Sequence, residues 1–277
     1  MTTLLSWVAY SDTGELSHLP RAAYLVSDSR ITWGSAARRW EAGRKVFAPT
    51  TIPHLFGFSG DVVFPALVLG QIVSAMDASV LFLAGDGAEE QHQAVLSAIK
   101  RGLARATKAP TTDFVIHHVL RENSWPETRF RAWAVHYTSQ TGVCASEEMP
   151  IPSATGVVGS FGSGRISAGQ HRARWEGSDS GGRSRAMLAA FCDSISSEDD
   201  PLSGGPPQLA ALYTKGAPVQ IGMIVEGRRF MNGMELEPSK ALARAEWRDA
   251  LGQQVDPLTG KAKQGVRRFI RPKKLTR

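Results

Sequence analysis

The sequence predicts an α/β protein in which two β-sheets pack face to face with helices on both outer faces, a four-layer αββα sandwich. The main observation is the order of elements along the 277 residues, which is strands, two helices, strands, two helices, strands. Each sheet in such an order needs its second face covered. Apolar residues make up 42% of the chain, which is enough to bury a sizeable core.

Five short strands and two helices are predicted in the first half of the chain. Apolar runs bounded by turn residues indicate strands over 4–10, 22–26, 31–33, 45–48 and 52–58. The period then changes, because apolar residues recur at helical spacing: Val62, Ala66, Leu69, Val73 and Met76. Helices are therefore expected over 61–77 and 88–107.

The second half repeats this order and adds an extension. Strands are predicted over 113–120, 129–137 and 155–161, helices over 164–175 and 184–196, and a last strand with a hairpin partner from 219. A helix over 238–252 and a basic arm follow. We therefore divide the chain into a domain of residues 1–235 and a C-terminal extension of residues 236–277.

The basic residues are concentrated at the C-terminal end. The formal net charge is +6, and residues 261–277 hold eight basic side chains and no acidic one: Lys261, Lys263, Arg267, Arg268, Arg271, Lys273, Lys274 and Arg277. Subtracting these eight leaves −2, so the rest of the chain is close to neutral. Such an arm can bind nucleic acid or an acidic partner, or it can be a solvated tail. The lack of an aromatic-rich or groove-reading motif favours the solvated tail.

The sequence carries no signal for a disulfide framework, a metal centre or a membrane span. Cys144 and Cys192 lack metal-ligand spacing, and His117 and His118 are adjacent on a predicted strand and so face opposite sides. The longest apolar stretch, 62–73, is too short to cross a bilayer, and the N-terminus does not resemble a signal peptide. We expect a cytoplasmic protein that needs neither a metal nor another cofactor.

Thr2 is the first candidate for chemistry. A free α-amino group has a pKa of about 7.7–8.0, so near neutral pH much of it is an unprotonated base. If the same residue carries a hydroxyl, base and nucleophile are positioned together. Thr2 is small enough for removal of Met1, which would expose that amine. An N-terminal threonine alone is a weak signal and needs support from the rest of the chain.

Three further segments supply the groups that such a nucleophile needs. Asp28 ends a strand, Lys45 opens another, and residues 57–60 form a small-residue turn before a helix. Backbone N–H groups at a helix start can stabilise an oxyanion. Each segment also has an ordinary structural explanation: a surface ion pair with Arg30, a solvated lysine, and a turn that requires glycine.

The order and spacing of these segments resemble the proteasome β-type and bacterial HslV-type peptidases, which are N-terminal-nucleophile hydrolases. The matching segments are Thr2-Thr3, Asp28-Ser29-Arg30-Ile31-Thr32, Lys45, Gly57-Phe58-Ser59-Gly60, Gly162-Ser163-Gly164 and Asp200-Pro201-Leu202-Ser203-Gly204-Gly205. The interval from Ser163 to Asp200 also agrees with that family. The resemblance runs from Thr2 to about residue 233. Among these peptidases the chain is similar to a divergent bacterial branch of HslV-like or Anbu-like proteins.

The resemblance implies a threonine peptidase with a defined set of catalytic groups. Thr2 Oγ attacks the acyl carbon and the Thr2 amine acts as general base. Lys45, held by Asp28, lowers the pKa of the hydroxyl, and the Gly60 N–H faces the oxyanion. Three residues hold the amine and relay protons: Ser163, Asp200 and Ser203.

The same resemblance implies how substrate binds and how the protein assembles. Thr32 binds the substrate backbone as an added strand, and Ile31, Phe58 and Val62 line an apolar specificity pocket. Family members form homo-oligomeric rings, some with an ATPase partner, and act on peptides or proteins. Two alternatives stay open. One is an amidohydrolase that cleaves a small amide with the same machinery, and the other is a catalytically silent ring subunit that binds a partner.

Overall fold

The computed structural model describes residues 2–11, 19–33, 35–265 and 270–272. Within these residues the chain forms two large β-sheets, a separate two-stranded hairpin and four α-helices. The chain is therefore a mixed α/β protein, as predicted, and its helices come in two consecutive pairs. None of the helices in the described part of the chain is long and apolar enough to cross a membrane.

The elements follow one another in this order: β1 (Leu4–Tyr10), β2 (Pro20–Ser27), β3 (Ile31–Trp33), β4 (Ser35–Trp40), β5 (Val46–Phe47), β6 (His54–Gly60), α1 (Val63–Asp77), α2 (Ala88–Ala104), β7 (Phe114–Glu122), β8 (Arg129–Thr138), β9 (Val143–Met149), β10 (Gly156–Phe161), α3 (Arg165–Glu176), α4 (Ser184–Ser196), β11 (Gln208–Tyr213), β12 (Val219–Val225), β13 (Arg228–Met231), β14 (Met234–Leu236) and β15 (Glu246–Asp249). A 3₁₀ helix, Lys240–Arg244, lies between β14 and β15.

The larger sheet has eight strands in the order β10-β1-β2-β11-β12-β13-β14, with β15 also paired to β12. All of its pairings are antiparallel except that of β12 with β15. The second sheet has five antiparallel strands in the order β5-β6-β7-β8-β9, and β3 pairs with β4 outside both sheets. The first strand of the chain therefore lies between β10 and β2, where residues from distant segments meet it.

Each sheet has apolar contacts on both faces. Side chains of α4 such as Phe191 pack with Trp7 on one face of the eight-stranded sheet. Side chains of α1 and α2 such as Leu69 pack on the five-stranded sheet. A third cluster joins the two sheets and includes Leu4 and Leu55. Strands buried on both faces are continuous apolar runs, which explains the pattern of β1.

The predicted helix over 238–252 is wrong. The structure forms the short 3₁₀ helix and then β15, whose Trp247 is wholly buried and donates from Nε1 to Leu242 O at 2.7 Å. Burying one large aromatic side chain against the sheet favours strand pairing over an exposed helix. Strands β4, β9, β11 and β14 were not predicted from the sequence. The domain boundary at residue 235 stays a prediction.

One residue of the basic arm has a defined contact. Of its eight basic residues the structure describes Lys261, Lys263 and Arg271, and the other five lie outside the described residues. The Arg271 guanidinium donates to Asp193 of α4 at 2.6 and 2.5 Å and lies 5.5 Å from the centre of the Trp175 ring. This part of the arm therefore packs on the helical face of the protein.

Candidate active site

The Asp28 carboxylate lies just past the end of β2 and is wholly buried. Its Oδ1 accepts hydrogen bonds from the Thr3 N–H at 3.0 Å and from Lys45 Nζ at 2.9 Å. Its Oδ2 accepts from the backbone N–H of Arg30 at 3.1 Å and of Gly204 at 3.0 Å. One carboxylate therefore holds the start of β1, the segment before β5 and the loop before β11.

Lys45 forms a buried ion pair with Asp28, with neither side chain exposed. Its Nζ also donates to Arg30 O at 2.5 Å. Burial lowers the pKa of the Lys45 ammonium, and the adjacent Asp28 carboxylate opposes that shift. Because Asp28 follows a strand of the eight-stranded sheet and Lys45 precedes a strand of the five-stranded sheet, the pair joins the two sheets.

A second polar chain also reaches the start of β1. Asp200 Oδ2 accepts hydrogen bonds from Ser163 Oγ and from Ser203 Oγ, both at 2.7 Å. Ser203 Oγ in turn accepts from Thr3 Oγ1 at 2.8 Å. Ser163 follows β10, which pairs with β1, and this pairing brings a residue more than 150 positions away beside Thr2-Thr3.

Two glycines lie against the first residues of the chain. Gly162 has φ +90°, and a Cβ built there would lie 1.9 Å from the Thr2 carbonyl oxygen. A Cβ on Gly164 would lie 1.9 Å from Thr3 Oγ1, and its N–H donates to Thr2 O at 3.4 Å. Thr2 and Thr3 are themselves buried. Glycine is required here because the backbone approaches Thr2-Thr3 too closely for a side chain.

Gly60 lies at the end of β6, close to this region. It has φ +98°, and a Cβ there would lie 2.1 Å from Asp113 O. The preceding Ser59 is near Gly162, since its Cβ lies 3.4 Å from the position of a Gly162 Cβ. The structure thus brings the strand that ends in Gly60 next to the loop that holds Thr2.

The four predicted substrate-binding residues lie on β3, on β6 and just before α1. Ile31 is buried against Gly43, where a Cβ would lie 2.1 Å from Ile31 Cδ1. Thr32 Oγ1 is a buried hydroxyl that has no hydrogen-bond partner within the described residues. Phe58 is wholly buried in the apolar cluster that α1 and α2 form with the five-stranded sheet, and Val62 is half-buried against that cluster. A pocket formed by these side chains stays a prediction.

Gln208 was not singled out from the sequence, although it joins both halves of the charged pair. It is wholly buried at the start of β11. Its Oε1 accepts from the backbone N–H of Lys45 at 2.9 Å and of Val46 at 3.3 Å. Its Nε2 donates to three oxygens: Asp28 O at 3.2 Å, Ser29 Oγ at 2.9 Å and Gly43 O at 2.7 Å. The only available signal was a polar residue opening the apolar run LAALY.

His117 and His118 face opposite sides of β7, as predicted. His117 Nδ1 lies 3.0 Å from Trp133 O, which can only accept, so Nε2 accepts from Ser6 Oγ at 2.7 Å. His118 lies between two other buried histidines, with ring nitrogens 2.9 Å from His54 Nδ1 and 3.0 Å from His92 Nδ1.

These buried rings are held neutral. Burial lowers the pKa of His54, His92 and His117 to about 4 and that of His118 well below its usual range. The hydrogen bonds between them need one donor and one acceptor at each contact, which neutral imidazoles provide. Within the described residues no group of these side chains is arranged to hold a metal ion.

Comparisons with known proteins add a likeness to solved structures. No protein-family model and no curated protein matches the chain. A solved structure of a mutant of Anbu from Hyphomicrobium sp. strain MC1 is similar with a TM-score of 0.48 and 12% sequence identity, over 79% of this chain and 86% of that chain. At that score and identity the likeness does not decide the family, so function is argued from the residues and their contacts.

Proposed function

We propose that the chain is a threonine-type peptidase with a four-layer αββα fold, in which Thr2 becomes the nucleophile once Met1 is removed. The observation that carries this proposal is the Asp28 carboxylate, which bonds both Lys45 Nζ and the Thr3 N–H. The fixed positive charge and the residue next to the nucleophile therefore share one buried anchor.

The groups around Thr2 fit acyl transfer. The Thr2 amine takes the hydroxyl proton as Thr2 Oγ attacks the carbonyl carbon of the substrate, and it gives that proton to the leaving amine as the C–N bond breaks. Water then attacks the acyl–enzyme ester, which releases the new carboxylic acid and restores the Thr2 hydroxyl. An ammonium has three N–H donors, and two of those of Lys45 bond Asp28 and Arg30 O. In the proposed arrangement the third faces Thr2 Oγ and stabilises its developing negative charge.

Two further sets of groups complete the reaction. The Gly60 N–H, at the end of β6, stabilises the oxyanion of the tetrahedral intermediate. The hydroxyl chain from Thr3 through Ser203 to Asp200 and Ser163 holds the N-terminal segment and relays protons around the amine. No metal ion or other cofactor has a role in this scheme.

An extended peptide is the substrate that this site suits. Among the described strands β3 pairs only with β4, so its other edge has no strand partner among them, and an extended peptide can add there. Thr32 lies on β3, and its hydroxyl has no hydrogen-bond partner within the described residues. The backbone of a bound peptide would provide one. Ile31, Phe58 and Val62 are apolar, so the residue before the cleaved bond is expected to be apolar as well.

Intact-mass measurement and a threonine-directed electrophile test the proposal together. Protein from its native host should lack Met1, and a peptide boronate or epoxyketone should add to Thr2. Lys45→Ala should reduce peptide turnover by about 10²–10³-fold. Lys100→Ala, at an exposed lysine of α2, is the matched control and should leave turnover unchanged.

The possible outcomes separate the alternatives. Capture at Thr2 with turnover of small amides but not peptides would replace the peptidase by an amidohydrolase. A folded protein without capture or turnover would indicate a silent subunit. Peptide turnover in protein that retains Met1 would refute Thr2 as the nucleophile, because an amide nitrogen is not basic.

A further inference from the structure

Gln208 lies between the backbones behind Asp28 and Lys45, which also meet directly where the Gly43 N–H donates to Ser29 O at 2.9 Å. The carboxylate and the ammonium are carried by different sheets, so nothing local in the sequence sets their separation. The Gln208 amide spans that gap, since its Oε1 accepts from the Lys45 and Val46 N–H groups and its Nε2 donates to the Asp28 carbonyl. It also donates to Gly43 O, two residues before Lys45, at 2.7 Å.

The chemistry of this position requires an amide of this length. The partners of Oε1 are donors, whereas the backbone partners of Nε2 are acceptors. A glutamate offers acceptors only, a methionine offers neither, and an asparagine is one methylene too short to reach both segments. Asp28 and Arg30 O hold the ammonium end of the flexible Lys45 side chain, and the Gln208 amide holds its backbone end.

We propose that Gln208 is a positioning residue for the reaction, which holds Lys45 at the distance from Asp28 that keeps its ammonium directed at Thr2. This inference rests on the proposed function. Gln208 does not touch substrate or the reacting atoms and acts only through the two backbone segments that it joins. Loss of its amide lets the ammonium move within the site without removing its charge.

A positioning role predicts a kinetic signature that lost stability alone does not produce. In Gln208→Met, kcat should fall by about 10–10²-fold, since small misplacements of catalytic groups have effects of this size. KM should stay within about twofold, because the hydrogen bonds of Gln208 within the described residues go to segments other than the four residues predicted to bind substrate. The acidic limb of the kcat/KM profile should also shift.

The direction of that shift follows from charge repulsion. A positive charge beside the Thr2 amine disfavours a second one and so lowers the pKa of the amine. If Lys45 moves away, the amine pKa rises, and the acidic limb of kcat/KM, which reports the free enzyme, moves to higher pH by about half a unit.

The experiment compares wild type with Gln208→Met, Gln208→Asn and Ile224→Ala, using one apolar peptide substrate over a range of pH. Ile224→Ala removes buried side-chain volume from the neighbouring strand β12, in a cluster that includes none of the candidate site residues, so it lowers stability with the kinetic profile unchanged. Gln208→Asn keeps the amide chemistry without the reach, and it provides the test if Gln208→Met does not fold.

The outcomes distinguish this inference from the proposed function. If wild type hydrolyses no peptide, the proposed function fails and the inference fails with it. If wild type is active and a folded Gln208 variant keeps its kcat and its acidic limb, the inference is overturned while the peptidase stands. A variant with lowered kcat and a limb moved to higher pH supports positioning.

Discussion

Asp28→Asn is the substitution that best tests how the site is held together. Each oxygen of the Asp28 carboxylate accepts two hydrogen bonds, from Thr3 and Lys45 on one side and from Arg30 and Gly204 on the other. An asparagine has one oxygen, so its NH₂ group must face two of these donors. The change therefore leaves two buried N–H groups without an acceptor and Lys45 without a counter-charge.

The expected loss can be worked out from these contacts. Breaking a buried ion pair by removing one partner costs about 3–5 kcal/mol, and each orphaned buried donor costs about 1–3 kcal/mol. The terms overlap, so we expect a total of about 4–6 kcal/mol. At about 2–4 °C per kcal/mol for a chain of this size, the melting temperature should fall by about 8–24 °C.

A double-mutant cycle isolates the pair from the other hydrogen bonds. Urea unfolding is measured for Asp28→Asn, Lys45→Met and the two together. The double variant should be more stable than the sum of the single losses predicts, by about 2 kcal/mol or more, because neither buried charge is then left alone. Stability is the measured quantity, since both single variants are expected to lose activity.

Asp256→Asn is the matched control for this cycle. Asp256 is also a carboxylate that accepts several hydrogen bonds, from Leu258 and Thr259, but at an exposed turn. The Asp256→Asn substitution should lower the free energy of unfolding by about 1 kcal/mol or less. A coupling energy near zero between Asp28 and Lys45, or equal losses for Asp28→Asn and Asp256→Asn, would refute the view that one buried carboxylate organises the site.

Three other predictions concern acid, the Thr2 loop and assembly. Because burial lowers the pKa of His54 and His117 from 6.5 to about 4, the stability they contribute is complete above pH 6.5 and declines as the pH falls toward the folded-state value. At pH 5 each of these two histidines should lower the free energy of unfolding by about 2 kcal/mol relative to pH 7. A urea midpoint that stays constant from pH 7 to 5 would contradict their neutral state. Gly162→Ala should displace Thr2 and abolish turnover, whereas Gly142→Ala, at φ +68° with no atom within 4 Å, should retain it. A ring-forming peptidase should self-associate, so light scattering that shows only the mass of one 29.9 kDa chain at every concentration would count against a ring.

The sequence allowed the charged residues of the site to be predicted because they lie at the ends of recognisable strands. Asp28 follows an apolar run and Lys45 precedes one, so their positions relative to the sheets could be inferred. The sequence interval between Ser163 and Asp200 indicated that the two side chains interact. In the structure Ser163 Oγ lies 2.7 Å from Asp200 Oδ2.

The contacts of backbone groups could not be predicted in the same way. The Thr3 N–H and the Lys45 N–H look like any other in the sequence, and their partners lie 25 and 163 residues away. β11 was missed because a strand rich in alanine has a weak strand preference, and because both of its neighbours bury it so that no polar alternation remains. Missing β11 concealed Gln208.

The predicted helix over 238–252 failed for a related reason. Local preference for helix in an alanine-rich and charged segment was overruled by a distant partner, the edge of β12, which pairs with β15. Trp247 lies over Gly222, where a Cβ would lie 2.4 Å from the indole ring. Neither the glycine nor the tryptophan is informative by itself, and only their contact decides the structure.

The site lies where the two sheets meet, and this location links chemistry to folding. Asp28 follows β2 and Ser203 lies in the loop before β11, both strands of one sheet, while Lys45 precedes β5 and Gly60 ends β6 in the other. Their distances are therefore set by how the sheets pack rather than by any local turn. If the proposed function holds, residues that fix this packing, such as Gln208, would affect reactivity without touching substrate. The same dependence explains why the residue types of the site were visible in the sequence while its geometry was not.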